Sequence, residues 1–553
     1  MKSIFQILLT LIFNKWLLAC MLFCLLYLSA YTQTNKKNIT KFNGSVSIAD
    51  NFYSANGIEA RQPGNMLIGI VRANLTLFKQ IQLPFELYYT TQQTTFQQPF
   101  NQFGVSPKIN SWLTLHGGYF STRFSDLSFG DLRMLGGGVE LSPGNFRFKA
   151  IYGRTRKAIE PNKVSYSPEV YEQNAYGMSI GYGDESKNFF NINMFHAIDD
   201  SNSIKTDTMM VAPNENLVTT LGFGMQLGNA ASVKGEVGVS AYTHDTKAEQ
   251  VDNVKIPEYV FTPNISSAAD AAAKLSFNIK PSRYWSIRLL SRWIGPGYKT
   301  LGYALMPKDL MEFSLAPTVR LLSNKLSIRV KAGVRYNNLH EQRISSTNRF
   351  TGLFSANYQI NKLFGISMNF NKNQIESSHK NDTLRISNIF NSVSVSPRWS
   401  FNGLGGSNNV ILSYSYQDVA DKNIYTSEIS NNNTNSVYAL HSLAFPTSWS
   451  LSTSVLYNNT KLANLSSQIF RISEGISRQF FNKLLNISAN MGINFIKTTN
   501  KSNQFVFGLN ASYSLKKYGN IRFNISNNNY KGPGDVIKDY NELYGSILYN
   551  IYF

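Results

Sequence analysis

The segment KLSIRVKAGVRY, residues 325–336, divides into two faces when read in steps of two. Leu326, Ile328, Val330, Ala332, Val334 and Tyr336 alternate with Ser327, Arg329, Lys331, Gly333 and Arg335. Successive side chains of an extended strand point to opposite sides, so one face suits hydrocarbon and the other suits water. The same two-residue period recurs from about Gly44 to the final Phe553, in runs of roughly ten residues or more separated by turn chemistry. A bilayer admits only helices or closed barrels, because every backbone polar group must find a partner inside the protein. Strands with one dry and one wet face therefore predict an all-β protein, a transmembrane antiparallel β-barrel.

The rest of the composition fits that architecture. The 553 residues are 43% hydrophobic and 13% aromatic, yet mean hydropathy is slightly negative and the long apolar run is N-terminal. A helical membrane protein is thereby disfavoured. The N-terminal run carries Lys2 and Lys15, an apolar stretch over 16–28, then Ser29 and Ala30 before the polar Gln33, Asn35, Lys36 and Lys37. It reads as a secretory signal peptide, residues 1–30, cleaved near Ala30, with an uncleaved helical anchor as the alternative. A lipoprotein signal ending at Cys20 would leave the apolar residues 21–28 at the start of the mature chain. Residues 31–43 would then be a short periplasmic segment and 44–553 the barrel. Both cysteines, Cys20 and Cys24, fall in the signal, so disulfides and Cys-ligated metals are excluded from the mature chain. The formal charge of +20 falls to about +18 when Lys2 and Lys15 leave. Such an excess points to anionic lipid or acidic ligands, and an exported chain does not meet nucleic acid.

Turns supply the strand count. Short connections stand at Lys79-Gln80, Pro107-Lys108, Ser142-Pro143-Gly144, Asp184-Glu185, Gly228-Asn229 and Pro281-Ser282. Six more stand at Ser323-Asn324, Asn361-Lys362, Asn402-Gly403, Pro446-Thr447, Asn482-Lys483 and Lys516-Lys517. Each joins two alternating runs as a tight hairpin. Between the hairpins lie longer Asn/Ser/Asp-rich stretches, as at 156–172, 199–216, 245–264 and 418–433. Short turns on one side and long loops on the other is the arrangement of outer-membrane barrels. Twelve hairpins with an opening and a closing strand predict 26 strands, within a range of 22–28. About a dozen residues between the cleavage site and the first strand leave no space for a plug domain of the TonB-dependent kind. At the C-terminus Tyr549, Ile551 and Phe553 share one face and the chain ends on an aromatic. This resembles the signal read by the barrel-assembly machinery, although Leu548 stands where a glycine is expected.

Assigning each apolar face to lipid leaves an interior rich in cations: Arg72, Arg147, Lys149, Arg288, Arg292, Arg329, Lys331, Arg335 and Arg522. A charge on the lipid face near midplane costs about 2–4 kcal/mol, so confinement of charge to one parity supports the barrel independently. Two readings stay open for these residues. They attract anionic solutes or an acidic partner, or they form wall ladders with acids on neighbouring strands, as Arg72 would with Glu86. The sets Arg288/Arg292 and Arg329/Lys331/Arg335 have few acids nearby in sequence and favour the first. Aromatics such as Trp112, Trp285, Trp399 and Trp449 read as interfacial girdles. The six histidines are scattered without metal-ligand spacing, and His116, expected to face the lumen, has no nucleophile motif beside it. No catalytic residues, metal or cofactor are expected.

The runs QPFNQFG at 98–104, LTLHGGY at 113–119 and GGVELSPGNFRF at 137–148 resemble large outer-membrane barrel proteins of the Bacteroidota. The resemblance covers mainly residues 60–155 and implies location and fold without a substrate. Two tripeptides, Asp207-Thr208-Met209 and Asp382-Thr383-Leu384, match the short O-glycosylation pattern of that phylum. The chain is thus expected in the outer membrane among lipids and lipopolysaccharide, inserted by the barrel-assembly machinery. Its expected function is a channel or transport-type pore with an electropositive lumen, occluded by inward loops such as 245–264. The alternative is a non-catalytic scaffold in an outer-membrane assembly, secretion or surface complex whose periplasmic or lumen-filling partner occupies the barrel.

Overall fold

The computed structural model describes residues 40–78, 80–91, 102–130, 132–160, 169–204, 211–251, 257, 260–379, 381–462, 465–534 and 538–553. The expected signal peptide, most of the short N-terminal segment, residues 98–101 of the resemblance motif and the tripeptide at 207–209 lie outside the described residues.

Each strand pairs antiparallel with its neighbours in sequence, and the first, Thr40–Asn56, pairs with the last, Tyr540–Tyr552. The sheet is therefore closed and has no free edge. Of its 27 strands, Gln102–Val105 and Lys108–Ile109 are two halves of one stave, both lying between Ile81–Thr90 and Leu113–Phe120. Among the described residues the barrel thus has 26 staves, the number the turns predict. The broken stave corrects one turn. Pro107 has no N–H to give the ladder and interrupts the strand instead of reversing it, while the reversal falls at 110–112, where Asn110 takes φ 52°. A second shift is smaller. The hairpin placed at Asn402-Gly403 turns on Leu404 and Gly405, whose φ values of 52° and 76° suit a two-residue reversal. The first strand also begins at Thr40, four residues ahead of Gly44.

Connections at one end of the barrel are two to five residues long, whereas those at the other reach 23, at 244–266. Outer-membrane barrels point their short turns to the periplasm. The parity of the strands is regular. In Glu215–Leu227, Asn216, Val218 and Thr220 are fully buried, while Leu221, Phe223 and Met225 are exposed on the outer face. No helix among the described residues is long and apolar enough to cross a membrane.

The seam is held by backbone and side chains together. Gly44 N–H donates to the Phe553 carbonyl at 2.8 Å and Phe553 N–H returns to Gly44 at 3.1 Å. Phe42 stacks on Phe553 with centroids 4.9 Å apart, and Ile551 is buried with Val46 and Val71. Tyr549, Ile551 and Phe553 therefore sit side by side on the outer face of the closing strand.

The inner wall has two characters. From Phe364–Ser377 onward it is lined mainly by short uncharged side chains, including Ser394, Ser415, Ser452, Asn490 and Asn510, with Arg398, Arg471 and Arg522 on the same parity. These pair across strands, as Ser396 with Ser413 at 2.8 Å and Asn494 with Gln504 at 2.7 Å, so the wall satisfies itself without long side chains. The earlier half carries most of the charges.

This parity is testable by unfolding in lipid vesicles. Val239→Arg, on the outer face, is expected to cost about 2–4 kcal/mol, and Ser394→Arg, on the inner face, to stay within about 0.5 kcal/mol of the parent.

Candidate functional site

Two connections of the long-loop end fold into the barrel. Residues 121–133 join Leu113–Phe120 to Met134–Leu141, and residues 295–309 join Trp285–Ile294 to Leu310–Leu321. They are knitted together by a bridge between Phe129 and Gly302, with Gly130 N–H donating to the Gly302 carbonyl. Tyr298 Oη donates to the Leu127 carbonyl at 2.9 Å, and Thr300 Oγ1 to the Ser128 carbonyl at 2.6 Å. Gly302 has to be a glycine, because a Cβ there would stand 2.2 Å from the Ser128 carbonyl oxygen.

The wall beneath is shaped to receive them. Phe129 is fully buried against Phe120, Met134, Ile151, Ala175, Phe195 and Ala197. Leu127 is buried with Val218, Ala272, Ile294 and Leu310, capped by Tyr298. These wall residues face the lumen: Ile151 and Ala175 alternate with outward, exposed Tyr152 and Met178. Small side chains at 175, 197 and 272 make the depressions and the two loop residues fill them.

Polar contacts fix the loops in register with that packing. Glu236 accepts from the backbone N–H groups of Asp126 and Leu127, both at 3.2 Å. Asp126 in turn takes Lys274 and Arg123. Burial alone would raise the Asp126 carboxyl, but the hydrogen bond and charge of Lys274, with Arg123 beside it, hold it below the usual carboxylate range. In the second loop, Asn216 bridges Lys299 O at 3.0 Å and Leu301 N at 2.9 Å, and Gly297 N–H donates to Asp270 at 2.7 Å. Burial, with Lys308 nearby, pulls the Lys299 ammonium down to about 8, and its charge rests over the Tyr242 ring at 3.7 Å. At the root of the first loop, Thr122 Oγ1 donates to Glu140 at 2.6 Å. Glu140 also meets Lys149 at 3.5 Å and His116 Nε2 at 3.1 Å, while His116 Nδ1 faces Ser106 Oγ at 2.9 Å. His116 does face the lumen, and this network fastens the loop root to the wall.

The loop expected to turn inward, 245–264, does not do so over its described part. Thr262 N–H reaches both oxygens of Glu215 at 3.3 Å, and Glu215 pairs with His196 at 2.8 Å. Glu215 shares its parity with outward Leu221 and Phe223, so this segment caps a buried His196–Glu215 hydrogen bond on the outer side of the rim.

The predicted cations separate into two groups. Arg72 pairs with Glu86 at 3.2 Å, in a cavity of about 670 Å³ that Arg133 also lines. Arg147 meets Glu185 at 3.3 Å, and Lys149 meets Glu140. Arg292 and Arg335 converge on one carboxylate, Glu312, at 2.6 and 3.3 Å. The clusters have few acids nearby in sequence, yet Glu312 lies on the strand between them, where register rather than sequence distance decides proximity. Arg288, Arg329, Lys331 and Arg522 are exposed and have no ion pair among the described residues. Arg288 stands opposite Ala316 and Arg329 opposite Thr318 on the same intervening strand, so Arg288, Arg329 and Lys331 surround two small side chains. No group of three or more His, Cys, Asp or Glu side chains suited to a metal occurs among the described residues.

Sequence reasoning missed the apolar lumen patch because it assigned every apolar side chain to lipid. The signal was present where both parities are apolar, as in FFNINMFHAID at Phe189–Asp199 and SAADAAAKL at the start of Ser267–Ile279.

No protein-family profile matches the chain, and no curated protein does. Solved structures do. The translocation pore of the P pilus usher PapC is 10% identical over 93% of this chain and 99% of that one, with a TM-score of 0.43. The FrpB iron transporter from Neisseria meningitidis is 10% identical over 92% and 82%, TM-score 0.37. OpdK from Pseudomonas aeruginosa, solved with vanillate, is 8% identical over 62% and 93%, TM-score 0.31. The likeness is one of fold.

Two outcomes follow from the docking. With the native cysteines replaced, a Ser128→Cys probe is expected to resist a water-soluble maleimide, and Phe129→Ala to speed its labelling by about tenfold or more through the cavity it leaves. Because the Asp126 carboxyl is held down in the docked loop, docking is intact above the ordinary carboxylate pKa and weakens as pH falls through the lowered one. Hydroxyl-radical oxidation of Phe129 should be flat above about pH 5 and rise below about pH 4.

Proposed function

We propose that the protein is an outer-membrane transport-type pore whose lumen is narrowed by the loops at 121–133 and 295–309 and whose free wall cations favour anionic solutes. The observation that carries this reading is the apolar depression in the inner wall, filled by Leu127 and Phe129. Apolar side chains facing a water-filled lumen are costly unless covered, so wall and loops were selected together and the constriction belongs to the native state. It is also needed, because barrels of about 16–18 strands already leave an aqueous channel. The remaining conduit runs between the loops and the Ser/Asn wall. Pairing of Arg72, Arg147, Lys149, Arg292 and Arg335 with acids leaves Arg288, Arg329 and Lys331, grouped on adjacent strands, and Arg522 as predicted cations that a solute meets.

Conductance of the purified full chain in planar bilayers tests this. Small anion-selective steps are expected, growing when Leu127→Ala and Phe129→Ala are combined. Replacing Arg288, Arg329 and Lys331 together by Ser should lower the anion-to-cation permeability ratio about twofold or more. A silent barrel that co-purifies with a stoichiometric partner would instead establish the scaffold.

A further inference from the structure

Near the short-turn end, the outer face carries a polar row where hydrocarbon is expected. Register places His441 on Asn432–Ala444 opposite Thr453 on Trp449–Leu462, and Thr453 opposite Glu474 on Leu465–Phe480. The three side chains therefore lie side by side on three adjacent strands. Their parity is that of the exposed apolar residues Val437, Leu451, Ile472 and Ile476, and the row is bounded laterally by Val410 and Met491. Trp449, at the start of its strand and stacked by Arg478, marks the short-turn interface. Thr453 lies four residues further along, about 10 Å deeper for a strand tilted near 40°. An ionisable side chain at that depth calls for a partner.

The row is half satisfied from within. Thr453 Oγ1 donates to Glu474 Oε2 at 2.9 Å. His441 Nε2 faces Asn408 Oδ1 at 2.8 Å. The Asn408 amide nitrogen donates to Gly403 and Gly406 carbonyls, so its oxygen is the acceptor and Nε2 the donor. A neutral His441 then presents Nδ1 outward as an acceptor. Neither Nδ1 of His441 nor Oε1 of Glu474 has a hydrogen bond among the described residues. The two ends cannot meet within one chain, since two strand spacings of about 4.8 Å separate them.

We propose that this row is the contact between two copies of the chain in the plane of the membrane. A two-fold axis along the membrane normal through Thr453 sets His441 of each copy against Glu474 of the other, the reciprocal pattern an isologous interface requires. One proton shared between Nδ1 and the carboxyl satisfies both ends, as acid and imidazole or as carboxylate and imidazolium. Strand tilt offsets the two ends by roughly 6 Å in depth, within the combined reach of the two side chains. Charge complementarity of the row with itself selects a second copy over a partner bearing a lone cation, which would leave His441 unanswered. This contact is independent of conduction.

The test uses the full chain in lipid nanodiscs or bilayers, with Cys20 and Cys24 replaced by Ser and folding checked by heat-modifiable gel mobility. Thr453→Cys should cross-link to a dimer with a short bifunctional thiol reagent, and Val319→Cys, outward on a distant strand, should not. Glu474→His alone and His441→Glu alone should each weaken dimerisation about tenfold, and the double exchange, which restores complementarity in reverse, should recover it. A monomer by native mass spectrometry, or single variants that dimerise as well as the parent, would overturn the proposal. So would a double variant no better than the singles, which would assign the row to a different partner.

Discussion

Hydrocarbon leaves no backbone N–H or C=O without a partner, and the whole structure follows from how this chain meets that demand. The pairing of Thr40–Asn56 with Tyr540–Tyr552 closes the sheet and removes its last unpaired edges. Closure fixes parity around the ring, since a slip of one residue would turn every side chain to the wrong solvent. With parity fixed, each strand distributes its residues between lipid and lumen, and the chemistry of the interior becomes a property of alternate positions.

The interior then has to manage its own width. Long charged side chains gather on the earlier strands, where most find acids across one or two strands. Short hydroxyl and amide side chains line the later strands and bond to one another. Between these, the inner wall departs from polarity at Phe120, Ile151, Phe195, Val218 and Ala272 to seat Leu127 and Phe129. Burial of these two side chains draws the loops inward, whereas Glu236, Asn216 and Asp270 determine where the loop backbone lies. The segments that enter the lumen are connections between neighbouring strands, so no domain boundary in the sequence marks them.

Much of this was readable beforehand. The alternation at 325–336 and the turn pairs gave the barrel and its 26 staves because both signals are local. Pro107 misled because a proline can break a strand as well as turn it, and only the partner strands distinguish the two. The clusters around Arg292 and Arg335 looked unopposed because Glu312, their shared acid, is distant in sequence and adjacent only through register. The expected inward loop, 245–264, does not enter over its described residues, for a related reason. Length and polarity make 245–264 the obvious candidate, but among the described residues the connections that enter are 121–133, which carries Leu127 and Phe129 opposite a wall apolar on both parities, and 295–309, which is knitted to it. His441 and Glu474 stayed unremarked because each alone is an ordinary residue in a polar-rich strand, and they form a row only when three strands are aligned.

The described residues of the connection 121–133 form a docked part of the lumen wall. Amide hydrogen exchange of the full chain in a bilayer tests it most directly, at Asp126 and Leu127, whose N–H groups donate to Glu236, and at Gly130, which donates to Gly302. Docking predicts exchange about a hundredfold or more slower than in the solvent-facing connection at 498–500. Equal rates in the two connections would mean that the lumen loops are not held and that the docked wall does not exist in the bilayer.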